Sequence, residues 1–366
     1  MISLLPLLEG SRLPKGIGER LLLTVLRGVG QLYGVIQAIR AYGYSVGLFS
    51  RYTAACPVIS VGNLTAGGTG KTPMVLWLAE TFQKKGRRVA VVSRGYRQQT
   101  QAQVTVVADP NGLLLKAPEA ADEAVLIAQK RPGVTVITGP QRKKTIARAI
   151  QQFGCDLIIM DDGFQHLQVN RQLNLLLLDC QAPFGNGHLL PGGMLREFPS
   201  ALERCDGVIL TRADNHKARQ KAQEQIQKRS PDKPICHALH QPSHWLEIPP
   251  SPDEKPKVLP LDGLNHKPVL AFCGIAKPET FQQTLQSLSL NVAVFQPFPD
   301  HHPFDEKSLE LLIERAERDQ IKALVCTEKD AVKIPSLPYR LPIYALSLEL
   351  TFPALSPWLQ EQIDHL

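Results

Sequence analysis

Cys56-Pro-Val-Ile-Ser-Val-Gly-Asn-Leu-Thr-Ala-Gly-Gly-Thr-Gly-Lys-Thr-Pro73 is the stretch on which the fold turns. An apolar strand runs into a glycine-rich turn, then Lys71 and Thr72, then a helical segment in which Pro73 suits the first turn. In such a loop Gly67, Gly68, Thr69 and Gly70 allow successive backbone N–H groups to curl around phosphate oxygens, and the following helix N-terminus adds its positive dipole end. Lys71 would reach the β- and γ-phosphates, and the Thr72 hydroxyl would bind Mg²⁺. The pattern departs from G-x-x-x-x-G-K-[ST], because Thr65 stands where the first glycine belongs and the nearest upstream glycine is Gly62. Ala66 likewise replaces the lysine of the variant K-G-G-x-G-K-[ST]. The strand-loop-helix context still reads as a nucleotide phosphate site.

A P-loop needs a carboxylate at a strand end for its metal ion. Asp156-Leu-Ile-Ile-Met-Asp-Asp162 supplies an apolar strand ending in two, followed by Gly163-Phe-Gln-His166. Asp161 or Asp162 would therefore hold Mg²⁺ directly or through water. Around these motifs, strand-like runs recur at Val58–Val61, Val89–Val92, Val104–Val107, Val134–Thr138, Leu157–Met160, Leu173–Leu178 and Val208–Thr211. Helix-period segments fall near 72–85, 119–130, 141–152 and 215–228. Continuous apolar strands alternating with helices predict a mostly parallel sheet covered on both faces. Between Gln241 and Lys267 six prolines occur in 27 residues, which reads as a linker with Trp245–Ile248 a possible short strand. Alternation then resumes at Val269–Cys273, 278–289, Val292–Phe295, 306–318, Ala323–Cys326 and Ile343–Leu346. The expected organisation is an N-terminal segment 1–55, a P-loop domain 56–240, the linker 241–267 and a smaller α/β domain 268–366.

Composition is that of an ordinary globular protein: 366 residues, 43% hydrophobic, 20% charged and a net charge of +7. No run of eighteen uncharged apolar residues occurs, so no transmembrane helix is expected. The opening MISLLPLLEG lacks a basic n-region and makes a poor secretory signal. Seven scattered cysteines, none in a CxxC pair, point to a reducing compartment rather than to disulfides or zinc. The first 55 residues hold six basic and two acidic residues. There Leu22, Val25, Leu26, Val29, Tyr33, Ile36 and Ile39 recur at helical spacing, with Arg20, Thr24, Arg27 and Gln31 opposite. Periodicity alone fits an amphipathic helix packed on its own domain better than one resting on an anionic membrane. Asp122-Glu123 at a helix start and Asp300-His301 between prolines are each ordinary as capping or loop residues.

Taken together, Leu32-Tyr-Gly34, the run Pro57 to Pro73, Ser93-Arg-Gly-Tyr96, Asp122-Glu123, Asp161-Asp-Gly-Phe-Gln-His166, Gly185-Asn-Gly187, Leu189-Leu-Pro191, Leu195-Arg-Glu197, Phe272-Cys-Gly-Ile275, Asp300-His301 and Thr327-Glu-Lys-Asp330 resemble the tetraacyldisaccharide 4′-kinases, the lipid A 4′-kinases of Gram-negative bacteria. The matches keep the family's order and span nearly the whole chain. One departure is Ala121-Asp-Glu-Ala124, where the family usually shows Gly-Asp-Glu-Pro. The resemblance implies transfer of the γ-phosphate of ATP to the 4′-hydroxyl of an acylated glucosamine disaccharide 1-phosphate, with Mg²⁺, at the cytoplasmic face of the inner membrane. It implies Asp122 as the carboxylate that accepts the hydroxyl proton, His301 as its partner, and Lys71 on the phosphates. Asp161 and Asp162 would be the acidic pair near the metal. Tyr96, Gln165, His166, Arg196 and Glu197 would line the substrate site, with Arg196 suited to hold a phosphate bidentately. Thr327–Asp330 is left without a definite role. Because Asp122 and His301 fall on opposite sides of the expected linker, domain closure is expected to assemble them. A lipid substrate also turns the N-terminal helix toward membrane contact.

The rival class is a P-loop switch that hydrolyses nucleotide to regulate a partner. Thr211-Arg-Ala-Asp214 faintly resembles the base-reading [NT]-K-x-D of GTPases, with Arg212 in the lysine position. Nucleic-acid binding is not expected, since no basic patch with interleaved aromatics appears beyond the N-terminus.

Overall fold

A computed structural model describes residues 7–8, 12–100, 102–251, 254, 256–265 and 267–366. Most of the opening decapeptide read above for a leader, and Pro252 of the proline-rich stretch, lie outside the described residues.

In chain order the elements begin with α1 (Ile17–Ser45), β1 (Val58–Asn63), α2 (Lys71–Lys84) and β2 (Val89–Ser93). Next come β3 (Thr105–Asp109), β4 (Gly112–Leu113), α3 (Asp122–Lys130), β5 (Thr135–Thr138), α4 (Arg142–Phe153) and β6 (Leu157–Asp161). They continue with β7 (Leu173–Asp179), β8 (Gly207–Thr211), α5 (His216–Gln227), β9 (Ile235–His237), β10 (Leu239–Glu247) and β11 (Lys257–Leu259). The chain closes with β12 (Val269–Cys273), α6 (Pro278–Ser287), β13 (Val292–Pro297), α7 (Glu306–Arg318), β14 (Ala323–Thr327), α8 (Glu328–Ala331), β15 (Ile343–Thr351) and α9 (Pro357–His365). Every strand expected from an apolar run is present, most within two residues of the expected ends; β15 runs five residues beyond Leu346 and β10 starts six before Trp245, while β4, β9 and β11 are short strands that the sequence did not announce.

Two compact units emerge, and both are discontinuous in sequence. The first takes in residues 1–94, 139–239 and 351–366; the second takes in 95–138 and 240–350. The expected boundary near 240 is a unit boundary, but it is one of four. The stretch 241–267 is not a free linker. It contributes β10 and β11 to the second unit's sheet, paired antiparallel through Trp245 and Leu259, and the Trp245 side chain is fully buried. Its prolines lie mostly outside the paired residues, where a missing N–H costs no ladder bond.

In the first unit β2, β6, β1, β7, β8 and β9 lie side by side in that order, all parallel. Their residues are buried on both faces, as continuous Val, Ile and Leu runs require. In the second unit β3 pairs antiparallel with β5 and β4. A separate sheet there runs β11-β10-β15-β14-β12-β13, with parallel pairing from β15 through β13. The α/β class with a mostly parallel P-loop sheet and a second, smaller α/β unit is therefore as expected.

Helix α1 packs differently from the sequence expectation. Its buried residues are Leu23, Gly30, Gly34, Gly43 and Tyr44, whereas Leu21, Val25, Val29, Leu32, Ile36 and Ile39 are at least half exposed. The helix docks through its glycine face and leaves its apolar stripe uncovered. A Cβ at Gly30 would lie 2.8 Å from the Leu189 carbonyl oxygen, and one at Gly34 would lie 2.7 Å from the Phe198 ring. By length and composition α1 is also long and apolar enough to cross a membrane, so the exclusion of a spanning segment made from uncharged runs alone does not stand. Isolated arginines interrupt the run without making the whole helix polar.

Gly30→Ala should destabilise the protein by about 1–3 kcal/mol, because the methyl group meets backbone that cannot rotate away. Gly28→Ala, where a Cβ meets nothing within 4 Å among the described residues, should be neutral or stabilising by up to about 1 kcal/mol. Urea denaturation of the two variants distinguishes them.

Candidate active site

The phosphate loop is held from several sides within the first unit. Asn63, the last residue of β1, donates its side-chain amide to the Thr69 hydroxyl at 2.9 Å. The backbone N–H of Ala66 donates to Met194 at 2.7 Å, and that of Arg196 to Leu64 at 2.7 Å. Gly67 has φ of +108° and Gly70 +84°, backbone that a side chain would strain. Around Gly67 and Gly68 a Cβ would meet nothing within 4 Å among the described residues. The loop thus keeps its glycine edge open, as a phosphate cradle requires. Gly62 has another purpose: a Cβ there would sit 2.5 Å from the Phe164 Cβ and 2.7 Å from the Phe164 nitrogen, so it permits the Asp161–His166 turn to close over β1.

That turn places the acidic pair beside the loop. Val61 is in register with Asp161 across the β1–β6 pair, and Gly163 donates its N–H to Val61 at 2.9 Å. Asp161 is buried. Asp162 adopts φ of +52°, tolerable for aspartate, and turns its carboxylate to Lys71 at 3.6 Å and to Arg196. One Arg196 nitrogen donates to both Asp162 oxygens, at 2.8 and 2.9 Å. Burial works to raise the Asp162 pKa, but Lys71, Arg196 and Arg142 outweigh it and hold the carboxyl below its usual range. Arg196, read above as a phosphate ligand, is therefore paired with Asp162, and Glu197 is buried against Arg204 at 2.8 Å.

Gln165 donates to the Asn63 carbonyl at 2.9 Å, leaving Gln165 Oε1 and His166 Nε2 buried without a hydrogen-bond partner among the described residues. Burial first, then Arg142, Arg171, Arg40 and Arg94, push the His166 pKa down to about 4, so its imidazole is neutral at pH 7.

Sequence reasoning missed Arg142. It is almost fully buried at the first position of α4, donates to the Gly139 carbonyl at 2.6 Å, and burial lowers its pKa to about 10 against the pull of Asp161 and Asp162. A cation opening a helix opposes the macrodipole. That local conflict in Arg142-Lys-Lys144 was the available signal. The GTPase-like Thr211–Asp214 segment is a buttress: the Thr211 hydroxyl donates to the Thr69 carbonyl at 3.0 Å, and Arg212 donates to Gly68 at 2.9 Å while paired with Asp179. Arg212 is thus committed to the loop rather than to a base.

The second unit holds the other residues. Asp122 Oδ2 and His301 Nδ1 are 3.0 Å apart, and His301 has the left-handed φ of +63°. The exposed Tyr96 presents its ring to His301 with centroids 5.9 Å apart. Asp122 and His301 belong to one compact unit, so closure between units is not needed to assemble them, contrary to the expectation from the linker. The cause is that 95–138 packs with 240–350 although the two segments are distant in sequence.

The chain matches the family described as tetraacyldisaccharide-1-P 4′-kinase over residues 22–365. It is 42% identical over 332 residues to a tetraacyldisaccharide 4′-kinase of Desulfatibacillum aliphaticivorans, covering 90% of this chain and 88% of that one. The enzyme of that name from Geobacter sulfurreducens is 39% identical over 336 residues, covering 92% and 91%. Among solved structures, LpxK from Aquifex aeolicus in complex with ATP is similar with a TM-score of 0.73 and 28% identity, over 94% of this chain and 98% of that one.

Because His166 refuses a proton that the unfolded chain accepts near pH 6.5, it costs stability as pH falls from about 6.5 toward 4. His166→Gln should flatten the loss of urea resistance between pH 7 and pH 5; an unchanged slope would contradict the assigned environment.

Proposed function

Since the chain belongs to the tetraacyldisaccharide 4′-kinase family and is an ATP-dependent kinase acting on the 4′-hydroxyl of a tetraacyldisaccharide 1-phosphate in lipid A biosynthesis, we propose that Asp122, oriented by His301, takes the proton of that hydroxyl. The observation that carries this reading is the 3.0 Å contact between His301 Nδ1 and Asp122 Oδ2. A carboxylate held by one imidazole keeps lone pairs for a hydroxyl proton. As the hydroxyl oxygen bonds to the γ-phosphorus, the bridging bond to ADP breaks and the proton passes to Asp122. Lys71 and the N–H groups of Gly67–Thr72 neutralise the charge on the phosphates.

Thr72, Asp161 and Asp162 offer the hydroxyl and carboxylate oxygens that Mg²⁺ takes. They stand at the helix start and strand end where β1 and β6 lie adjacent, so the donor set fits that ion. When bound, the ion neutralises charge across the β- and γ-phosphates. Gln165 and His166, each with a buried polar atom that has no partner among the described residues, are suited to polar groups of the sugar phosphate. Arg196 acts on substrate through Asp162, and Glu197 holds the segment through Arg204.

The reading extends to location. The uncovered stripe of α1, with a surplus of arginine and lysine in residues 1–55, suits the anionic cytoplasmic face of the inner membrane. Its glycine face is packed on its own unit from Leu23 to Tyr44, which supports a helix resting on the surface rather than crossing it.

Asp122→Ala and His301→Ala should each lower kcat by about a hundredfold or more while ATP affinity changes little. Near-wild-type turnover in either variant would remove that residue from the mechanism. For the membrane, Leu32→Glu with Ile36→Glu should weaken binding to anionic vesicles at least about tenfold without lowering the melting temperature. Equal vesicle binding by the double variant and the parent would refute the docking face.

A further inference from the structure

Thr327-Glu-Lys-Asp330, singled out in the sequence and unused by the mechanism above, grips the Asp122–His301 pair from behind. The Lys329 ammonium lies 3.3 Å from His301 Nε2, 3.0 Å from Glu123 Oε1 and 3.8 Å from Asp300 Oδ1. Asp330 is completely buried and accepts from the Gly274 N–H at 3.1 Å and the Thr327 hydroxyl at 2.6 Å. The Gly274 carbonyl in turn accepts the His301 N–H at 3.0 Å. Glu328 pairs with Lys130 at 2.7 Å. The motif therefore holds α3 at both ends, near Asp122 through Glu123 and at Lys130, and also holds the loop that carries His301.

An ammonium has three donors and no acceptor. Its contact with His301 Nε2 needs a lone pair there, which puts the imidazole proton on Nδ1, facing Asp122 Oδ2. The groups around the ring are Asp122 at Nδ1, Lys329 and Asp300 at Nε2, and the Tyr96 ring at the edge. Arg97 donates to the Asp300 carbonyl, and Glu123 anchors Lys329. Burial disfavours charge on Lys329, yet Glu123 and Asp300 outweigh it and keep the ammonium above its ordinary pKa.

We propose that Lys329 is a positioning residue that fixes His301 as the neutral Nδ1–H tautomer, so that Asp122 receives one neutral hydrogen bond and stays basic enough to take the hydroxyl proton. This rests on Asp122 being the proton acceptor. Without Lys329, His301 Nε2 is left facing the Asp300 carboxylate, which favours an imidazolium. An imidazolium against Asp122 lowers the basicity of that carboxylate.

The test uses the full-length protein with Lys329→Met and Lys329→Arg, and with Asp122→Ala and His301→Ala as references. Nitrogen-15 histidine NMR, with the His301 signal assigned by its loss in His301→Ala, should show the Nδ1–H tautomer in the parent. The His301 titration midpoint should rise by about one pH unit in Lys329→Met. In the same variant the acid limb of kcat/KM should move up by about one unit and kcat at pH 7 should fall about tenfold, with KM for ATP within about twofold. Lys329→Arg should restore most of the turnover. An Nε2–H tautomer in the parent, or an unmoved titration and acid limb in Lys329→Met, would overturn the proposal. A loss equal at every pH with a lowered melting temperature would also overturn it, leaving Lys329 a structural tie. If Asp122→Ala and His301→Ala keep full turnover, the proton-acceptor reading fails, while the parent tautomer still reports the Lys329 contact separately.

Discussion

The adjacency of β1 and β6 is the constraint on which the nucleotide half of the site depends. Val61 and Asp161 face each other across a fully buried parallel pair, so the phosphate loop leaving β1 and the acidic turn leaving β6 emerge at one sheet end. Burial of both strands on both faces makes that register costly to change, because a one-residue slip would reverse every side chain. Gly62 then lets Phe164 close over β1, and the turn brings Asp162 to Lys71. Lengthening either strand by one residue would separate the lysine from its carboxylate.

Charge is distributed around that end with a consistent logic. Arg142, Arg196 and Lys71 surround Asp161 and Asp162, and the cations hold the half-buried Asp162 in its ionised form. Burial first, and then Arg142, Arg171, Arg40 and Arg94, keep His166 neutral. A strand end so rich in cations is suited to the polyanionic charge of ATP and a sugar phosphate. In the second unit the balance is reversed. There Asp122, Glu123 and Asp300 surround a single histidine, with Lys329 and Arg97 as the counter-cations.

Helix α1 shows how one segment serves two surfaces. Glycines at helical spacing allow its backbone to approach the 189–198 segment closely, a contact that bulky residues would prevent. The larger apolar residues are thereby released to the outside. An uncovered stripe of this size on a water-facing helix is the kind of patch that marks an interaction surface.

Local order alone was enough for much of this protein. Apolar runs bounded by turn residues located the strands, and GGTGKT and the Asp161–His166 segment marked the glycine-rich loop and the acidic turn beside it, because each depends on residues within a few positions of one another. The side of α1 that packs was not legible, since periodicity shows that a stripe exists but not which surface meets it. Glycines, with no side chain to count, carried the packing face instead. Nor were the pairings of Arg196 with Asp162 and of Glu197 with Arg204 visible, because a guanidinium's partner is chosen in space. The sequence by itself determined the α/β class, the glycine-rich loop between β1 and α2, and the family. Only the tertiary structure decided that residues 95–138 join 240–350. Asp122 and His301, 179 residues apart, meet because two distant segments pack into one compact unit, and no local propensity encodes that contact.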